Sequence, residues 1–227
     1  MSETIRDWSQ IDHYYSKLLE SIYKQPEDSG HTDWTEDALD RVFTLYKDRV
    51  NSILDVGCGT GFVQDLVSCR YEGITLGKHD YQDAKKNERN VKRGDIHYLP
   101  QGNGSVDMVL ARHVLEHSPM PLIALMEWWR VSQKYLFLIA PAPEYWDVYG
   151  RNHFSVLYKD QLYWLLQLSG WEILVEQDFK TSDISFKKHY ANNTKRITEG
   201  KPMIDVPGVP KVVEYRFFCE KTIPRVE

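Results

Sequence analysis

Residues 53–61 read Ile-Leu-Asp-Val-Gly-Cys-Gly-Thr-Gly, an apolar run that ends in a carboxylate and passes directly into glycines at three alternate positions. Main chain without side chains at Gly57, Gly59 and Gly61 can approach a ligand closely and adopt positive φ, so the stretch reads as a strand feeding a cofactor loop. Asp55 sets one negative charge at that contact. A dinucleotide fingerprint of the Gly-x-Gly-x-x-Gly kind needs glycine at position 62, where the chain has Phe62. The loop also lacks the Lys-Ser or Lys-Thr pair of a phosphate-cradling P-loop. A second cluster with chemical potential is Arg112-His113-Val114-Leu115-Glu116-His117. His-x-x-Glu-His is the spacing of the inverted zinc-protease motif, which needs His113 and His117 on one helical turn with Glu116 as base. The segment is too short before Pro119 for such a helix and falls between a strand and a helix, so no metal site is expected.

These residues need elements to position them, and the hydrophobic pattern supplies an alternating series. Upstream of the glycines, apolar and aromatic residues from Trp8 to Ile22 recur by threes and fours as on one face of a helix over 8–24. Pro26, Asp28, Ser29 and Gly30 break it, and Thr35 can begin a second helix over Ala38–Tyr46. After the loop come a helical face over Phe62–Cys69, a strand over Tyr71–Thr75, an exposed helix over Asp80–Arg89 and a strand over Val91–Ile96. Strands over Val106–Leu110 and Tyr135–Ala140 then flank a helix around Leu122–Val131. A helix over Lys159–Leu168 precedes strands over Trp171–Gln177 and Val212–Cys219, with a Pro- and Gly-bearing connection at 182–209 between them. Strands separated by helices at this period predict an α/β fold with a mostly parallel sheet covered on both faces.

Composition narrows the function classes. A chain of 227 residues holds one sizeable α/β domain with additions. Its formal charge of -5 argues against a broad phosphate-tracking surface, so no nucleic-acid partner is expected. Three cysteines without metal-like spacing suit reduced thiols in the cytoplasm, and no stretch reads as a secretory signal or a membrane span.

Asp55-Val56-Gly57-Cys58-Gly59-Thr60-Gly61 resembles the first motif of class I S-adenosylmethionine-dependent methyltransferases. The resemblance covers roughly residues 50–178 and implies a Rossmann-like, doubly wound sheet of seven strands, the last antiparallel. It divides the chain into a helical lid or extension at 1–49 and a methyltransferase domain at 50–227, with an insertion at 182–211 between strands six and seven. S-adenosylmethionine is then the cofactor, held by Asp55, Gly57, Cys58, Gly59 and Gly61, with Asp55 facing the ammonium of the donor's amino-acid tail. Gly73-Ile74-Thr75-Leu76 resembles a variant in which a polar residue five positions after Thr75 reaches the ribose. Asp80 stands there and could equally cap the following helix. Gly94-Asp95-Ile96 matches the element in which the acid accepts from the adenine amino group and the next residue packs on the ring.

Leu115-Glu116-His117 is similar to an element common in small-molecule methyltransferases, whose loop passes beneath the sulfonium and so sets Arg112, His113 and His117 near the transferred methyl. The same loop lacks the Asn- or Asp-Pro-Pro-aromatic run of enzymes that methylate nucleic-acid bases. The implied activity is methylation of a small organic acceptor at oxygen or nitrogen, with His117, His113 and His153 as candidate bases. A donor-binding scaffold without activity and a carbon-methylating or cyclopropane-type enzyme are the competing readings. Tyr14, Tyr15 and Trp34 could cover donor and substrate or simply pack in the core.

Overall fold

Five consecutive buried residues, Ser52–Val56, form β1, and burial on both faces is what a central strand of a parallel sheet shows. In the computed structural model of the protein, the residues described are 29–46, 49–143, 153–180 and 211–223, with Lys17, Thr198 and Glu199. Six further strands join β1: β2 (Arg70–Thr75), β3 (Val91–Arg93), β4 (Val106–Arg112), β5 (Ser132–Pro141), β6 (Trp171–Lys180) and β7 (Val212–Lys221). The helices are α1 (Ser29–Tyr46), α2 (Lys78–Lys86), α3 (Pro121–Val131) and α4 (Lys159–Leu168).

The strands form one sheet in the order β3-β2-β1-β4-β5-β7-β6. Pairing is parallel from β3 to β5, and β7 runs antiparallel to both β5 and β6, as the sequence leads one to expect. The chain winds outward from β1 to β3, then returns to the other side of β1 with β4. That reversal opens a crevice above the carboxyl ends of β1 and β4, where doubly wound sheets take their ligands.

Each face of the sheet carries its own core. On one face Leu125 and Trp128 of α3 and Leu162 and Leu166 of α4 pack with Trp171 and Phe217. Both indoles are satisfied, Trp128 donating to the Ile96 carbonyl at 3.1 Å and Trp171 to the Leu125 carbonyl at 3.2 Å. On the other face Ala38, Leu39 and Val42 of α1 lie against Met108, Leu110, Phe137 and Phe218.

Local chemistry moves several boundaries. The third strand stops at Arg93, because the Asp95 carboxylate accepts from the His97 amide at 2.9 Å and folds the chain into a turn. The helical face after the glycines is only a 3-10 turn over Phe62–Leu66. Helix α1 begins at Ser29, within the stretch the sequence reads as a break. Helix α2 starts at Lys78 and ends at Lys86, just before Glu88 takes a left-handed φ of 56°. The proposed helix over 8–24, apart from Lys17, and most of the 182–209 connection lie outside the described residues.

Candidate active site

The glycine loop leaves β1 at the crevice with left-handed backbone at Gly57 (φ 71°), Gly59 (φ 56°) and Gly61 (φ 73°). Two of these positions exclude any side chain on further grounds. A Cβ on Gly57 would run into the Val114 side chain, and one on Gly61 would come within 2.5 Å of Val91 Cγ2. The turn is tied down by the Cys58 amide donating to the Ile74 carbonyl at 3.0 Å and the Gly61 amide donating to the Cys58 carbonyl at 2.9 Å. Its backbone is therefore shaped before any ligand arrives.

Asp55 lies beneath this loop, 3% exposed, and its Oδ2 accepts from the Tyr71 hydroxyl at 2.8 Å. Burial pushes its pKa from 3.8 to about 7, against the opposing pulls of the Tyr71 hydrogen bond and the Arg112 charge. Burial, with Asp55 nearby, also pushes the Cys58 thiol well up, so Cys58 packs as a neutral group. The Arg112 guanidinium sits 5.3 Å from the Phe62 ring centroid. Tyr71 is a site residue the sequence did not signal; its role follows from the β1–β2 pairing of Ile53 with Tyr71, which carries the phenol alongside the end of β1.

Thr75 ends β2 and is buried, and the Leu76 carbonyl accepts from Arg93 Nη2 at 3.2 Å. Asp80 is buried in the first turn of α2, where a carboxylate favours the helix dipole, but the N-cap position itself is Gly77. A Cβ on Gly77 would stand 2.6 Å from Asp80 Oδ2, so glycine there makes room for the acid. Asp95 Oδ1 lies 2.6 Å from His97 Nδ1, and His97 Nε2 lies 2.6 Å from Ser118 Oγ. This buried chain, missed in the sequence because its members are not adjacent, links the end of β3 to the loop after β4. Ile96 packs against the same core as Trp128.

That loop turns sharply. His113 has a left-handed φ of 47°, with its amide donating to the Ile139 carbonyl at 2.9 Å, and Leu115–His117 form a 3-10 turn. His113 Nε2 lies 2.8 Å from Glu214 Oε2, and its Nδ1 lies 3.7 Å from Glu116 Oε1. Glu214 is buried in β7; burial alone would raise its pKa, but His113 and Arg216 hold it at about 2. Arg216 Nε donates to Glu214 Oε1 at 2.7 Å, its Nη1 to Asp37 Oδ2 at 2.8 Å and its Nη2 to the Trp34 carbonyl at 3.2 Å. Trp34 itself packs on Phe179 and Val213, which makes it core rather than cover.

His117 and His153 meet ring to ring, centroids 4.7 Å apart, and His117 Nε2 lies 4.0 Å from Glu116 Oε1. The meeting is enforced by backbone: the Phe154 and Ser155 amides both donate to the Glu116 carbonyl, at 2.8 and 2.9 Å, and Ser155 Oγ donates to the Ser118 carbonyl at 2.6 Å. The three candidate histidines thus gather around Glu116. Tyr14 and Tyr15 lie outside the described residues.

Comparison with known proteins follows the same lines. Residues 54–138 match the family of proteins with a methyltransferase domain. An uncharacterized 37.1 kDa protein of Streptomyces fradiae, in transposon TN4556, is 34% identical over 107 residues, which cover 42% of this chain and 31% of that protein. The chain therefore spans under a third of the curated relative it matches. Among solved structures, a SAM-dependent methyltransferase from Methanosarcina mazei is 14% identical with a TM-score of 0.57, over 80% of this chain and 97% of the other. One from Archaeoglobus fulgidus is 17% identical with a TM-score of 0.54, over 82% and 94%. The 4+2 cyclase SpnF is 19% identical with a TM-score of 0.60, over 94% and 96%. At these identities the likeness is one of fold. Among the described residues no helix is long and apolar enough to cross a membrane. Residues 54–138 thus carry the match to a methyltransferase domain, on a fold shared with SAM-dependent methyltransferases of solved structure, and S-adenosylmethionine is the cofactor such a domain implies.

Proposed function

We propose that the chain transfers a methyl group from S-adenosylmethionine to oxygen or nitrogen of a small organic acceptor by direct displacement. The observation that carries this reading is the left-handed glycine turn at the strand-order reversal, with an Arg/His/Glu loop facing it from β4. The residues present fit the donor. A Cβ at Gly57 or Gly61 would collide with Val114 or Val91, so the loop keeps a bare, tightly turned backbone, and Asp55 within β1, Asp80 in the first turn of α2 and Asp95 just after β3 supply carboxylates that suit a cationic nucleoside. When bound, the donor supplies an activated methyl on a positively charged sulfur.

The chain's own residues then have distinct tasks. The backbone of Gly57, Cys58, Gly59 and Gly61 holds the amino-acid tail, with Asp55 toward its ammonium. Thr75, Leu76 and Asp80 hold the ribose, while Asp95 accepts from the adenine amino group with Ile96 against the ring. Arg112 and His113 line the reaction space. His97 fixes the Asp95 carboxylate, since Oδ1 already takes both its amide and its ring nitrogen, leaving Oδ2 for a ligand. Glu214 orients His113. Because displacement needs little beyond alignment, most of the rate comes from holding acceptor and donor in line. Removal of the acceptor's proton falls to the cluster of Glu116, His117 and His153.

Calorimetry with S-adenosylmethionine and its demethylated product, followed by mass spectrometry of a metabolite pool incubated with donor and protein, tests the reading. The expected result is donor binding and a product heavier by one methylene. Retention of NAD or ATP with no response to the donor overturns it. A second reading draws on the fold likeness to SpnF: the donor pocket is kept while the chemistry is other than methyl transfer. Consumption of an acceptor without gain of mass would favour it.

A further inference from the structure

We propose that Glu116, His117 and His153 hold one divalent cation of borderline character, zinc(II) by preference, on the acceptor side of the site. Their ligand atoms all lie within 4.8 Å of one another. Two imidazole nitrogens and a carboxylate oxygen form a common protein ligand set for such ions. Zinc bonds of about 2.0–2.2 Å put tetrahedral ligands roughly 3.4 Å apart, so modest side-chain rotation closes the set.

An independent observation points the same way. Glu116 is 3% exposed, and its Oε2 accepts no hydrogen bond among the described residues. A buried carboxylate oxygen without a donor is costly, and a cation supplies the missing partner. The cluster is also built rather than accidental. Hydrogen bonds from Phe154 and Ser155 to the Glu116 carbonyl, and from Ser155 to the Ser118 carbonyl, fasten the segment bearing His153 onto the turn bearing His117. The ligand pair differs from the inverted zinc-protease spacing: His113 turns instead to Glu214 and stands behind Glu116 as an orienting group.

Three protein ligands leave a coordination position for an acceptor hydroxyl. This use rests on the methyl-transfer reading; cation binding itself does not. With the cation bound, the cluster would act on the acceptor's proton through the metal and not as a direct base: coordination lowers the acceptor's pKa and the proton passes to water. An oxygen electron pair then forms the bond to the methyl carbon while the carbon–sulfonium bond breaks and its pair stays on the donor's sulfur, leaving a neutral thioether.

The test uses the full chain, stripped with a chelator and titrated calorimetrically with zinc(II) and manganese(II), and with cobalt(II) followed by visible absorption. The expected result is one ion per chain, with His117→Ala, His153→Ala and Glu116→Gln each weakening binding at least tenfold while exposed His79→Ala leaves it unchanged. Far-UV circular dichroism checks that each variant folds. Should one fail, histidine side-chain NMR of the wild-type chain decides, with ring signals of His117 and His153 shifting on zinc addition. Absence of stoichiometric binding, binding indifferent to all three variants, or unmoved His117 and His153 signals overturns the proposal. Donor calorimetry is read separately, so a chain that binds zinc but not S-adenosylmethionine fails the functional reading alone.

Discussion

The two halves of the crevice are made in different ways. On the donor side, β1 to β3 present a loop whose shape is backbone: three left-handed glycines and amide hydrogen bonds between residues close in sequence or on paired strands. On the acceptor side the shape is made by side chains from distant parts of the chain. His113 meets Glu214 across 101 positions, and Arg216 meets Asp37 across 179. A backbone cradle suits a ligand shared by a whole fold, and a side-chain wall is free to vary with the acceptor.

The sharpest way to break this contrast is at Gly57. Gly57→Ala must hold a left-handed φ of 71° with its Cβ in the Val114 side chain. The expected outcome is at least a hundredfold loss of donor affinity by calorimetry, about 3 kcal/mol, from the combined strain and displacement of the loop. On the other side, Arg216→Met leaves Glu214 buried with one partner removed. Urea unfolding should show a loss of about 3–5 kcal/mol, and adding Glu214→Gln should recover much of it, since an uncompensated buried charge is the main cost. Full additivity of the two substitutions would show the pair to be uncoupled.

Asp55 gives the donor side a pH signature. Its carboxyl titrates near 3.8 when unfolded and about 7 when folded. The native state therefore keeps a proton that the unfolded chain releases, and the resulting stability, full below the lower value, is lost as pH rises through the upper one. Between about pH 4 and about pH 6 this group should lower stability by about 2 kcal/mol, a slope that Asp55→Asn removes. A matching slope in the variant would assign the effect elsewhere. The smallest expected effect is at the seam between the halves. Ser118→Ala takes the hydroxyl from His97 Nε2, and chemical denaturation should register about 1–2 kcal/mol.

What could be read from the sequence follows the same division. The sheet and helices were legible because β5 carries the unbroken apolar run Tyr135–Ala140, β1 and β4 carry short, mostly apolar stretches, and α4 has a clean helical period bounded by Gly170. The left-handed glycine turn was legible because its spacing is local. Tyr71, His97, Ser118, Glu214 and Arg216 were not. Each acquires its role from a partner supplied by the fold, and nothing in a window around Arg216 announces Asp37. His113 and His117 were legible as neighbours in one loop but their partners were not: one turns to Glu214 of β7 and the other to His153.

The Arg216 side chain grips three things at once: a carboxylate beside His113, another on α1, and the carbonyl of Trp34. Movement of the helix ahead of the sheet and tilt of an imidazole ring in the reaction space are thus mechanically geared. On the proposed function, a binder that pried α1 from its seat would slacken the wall beside His113 while leaving the glycine turn intact.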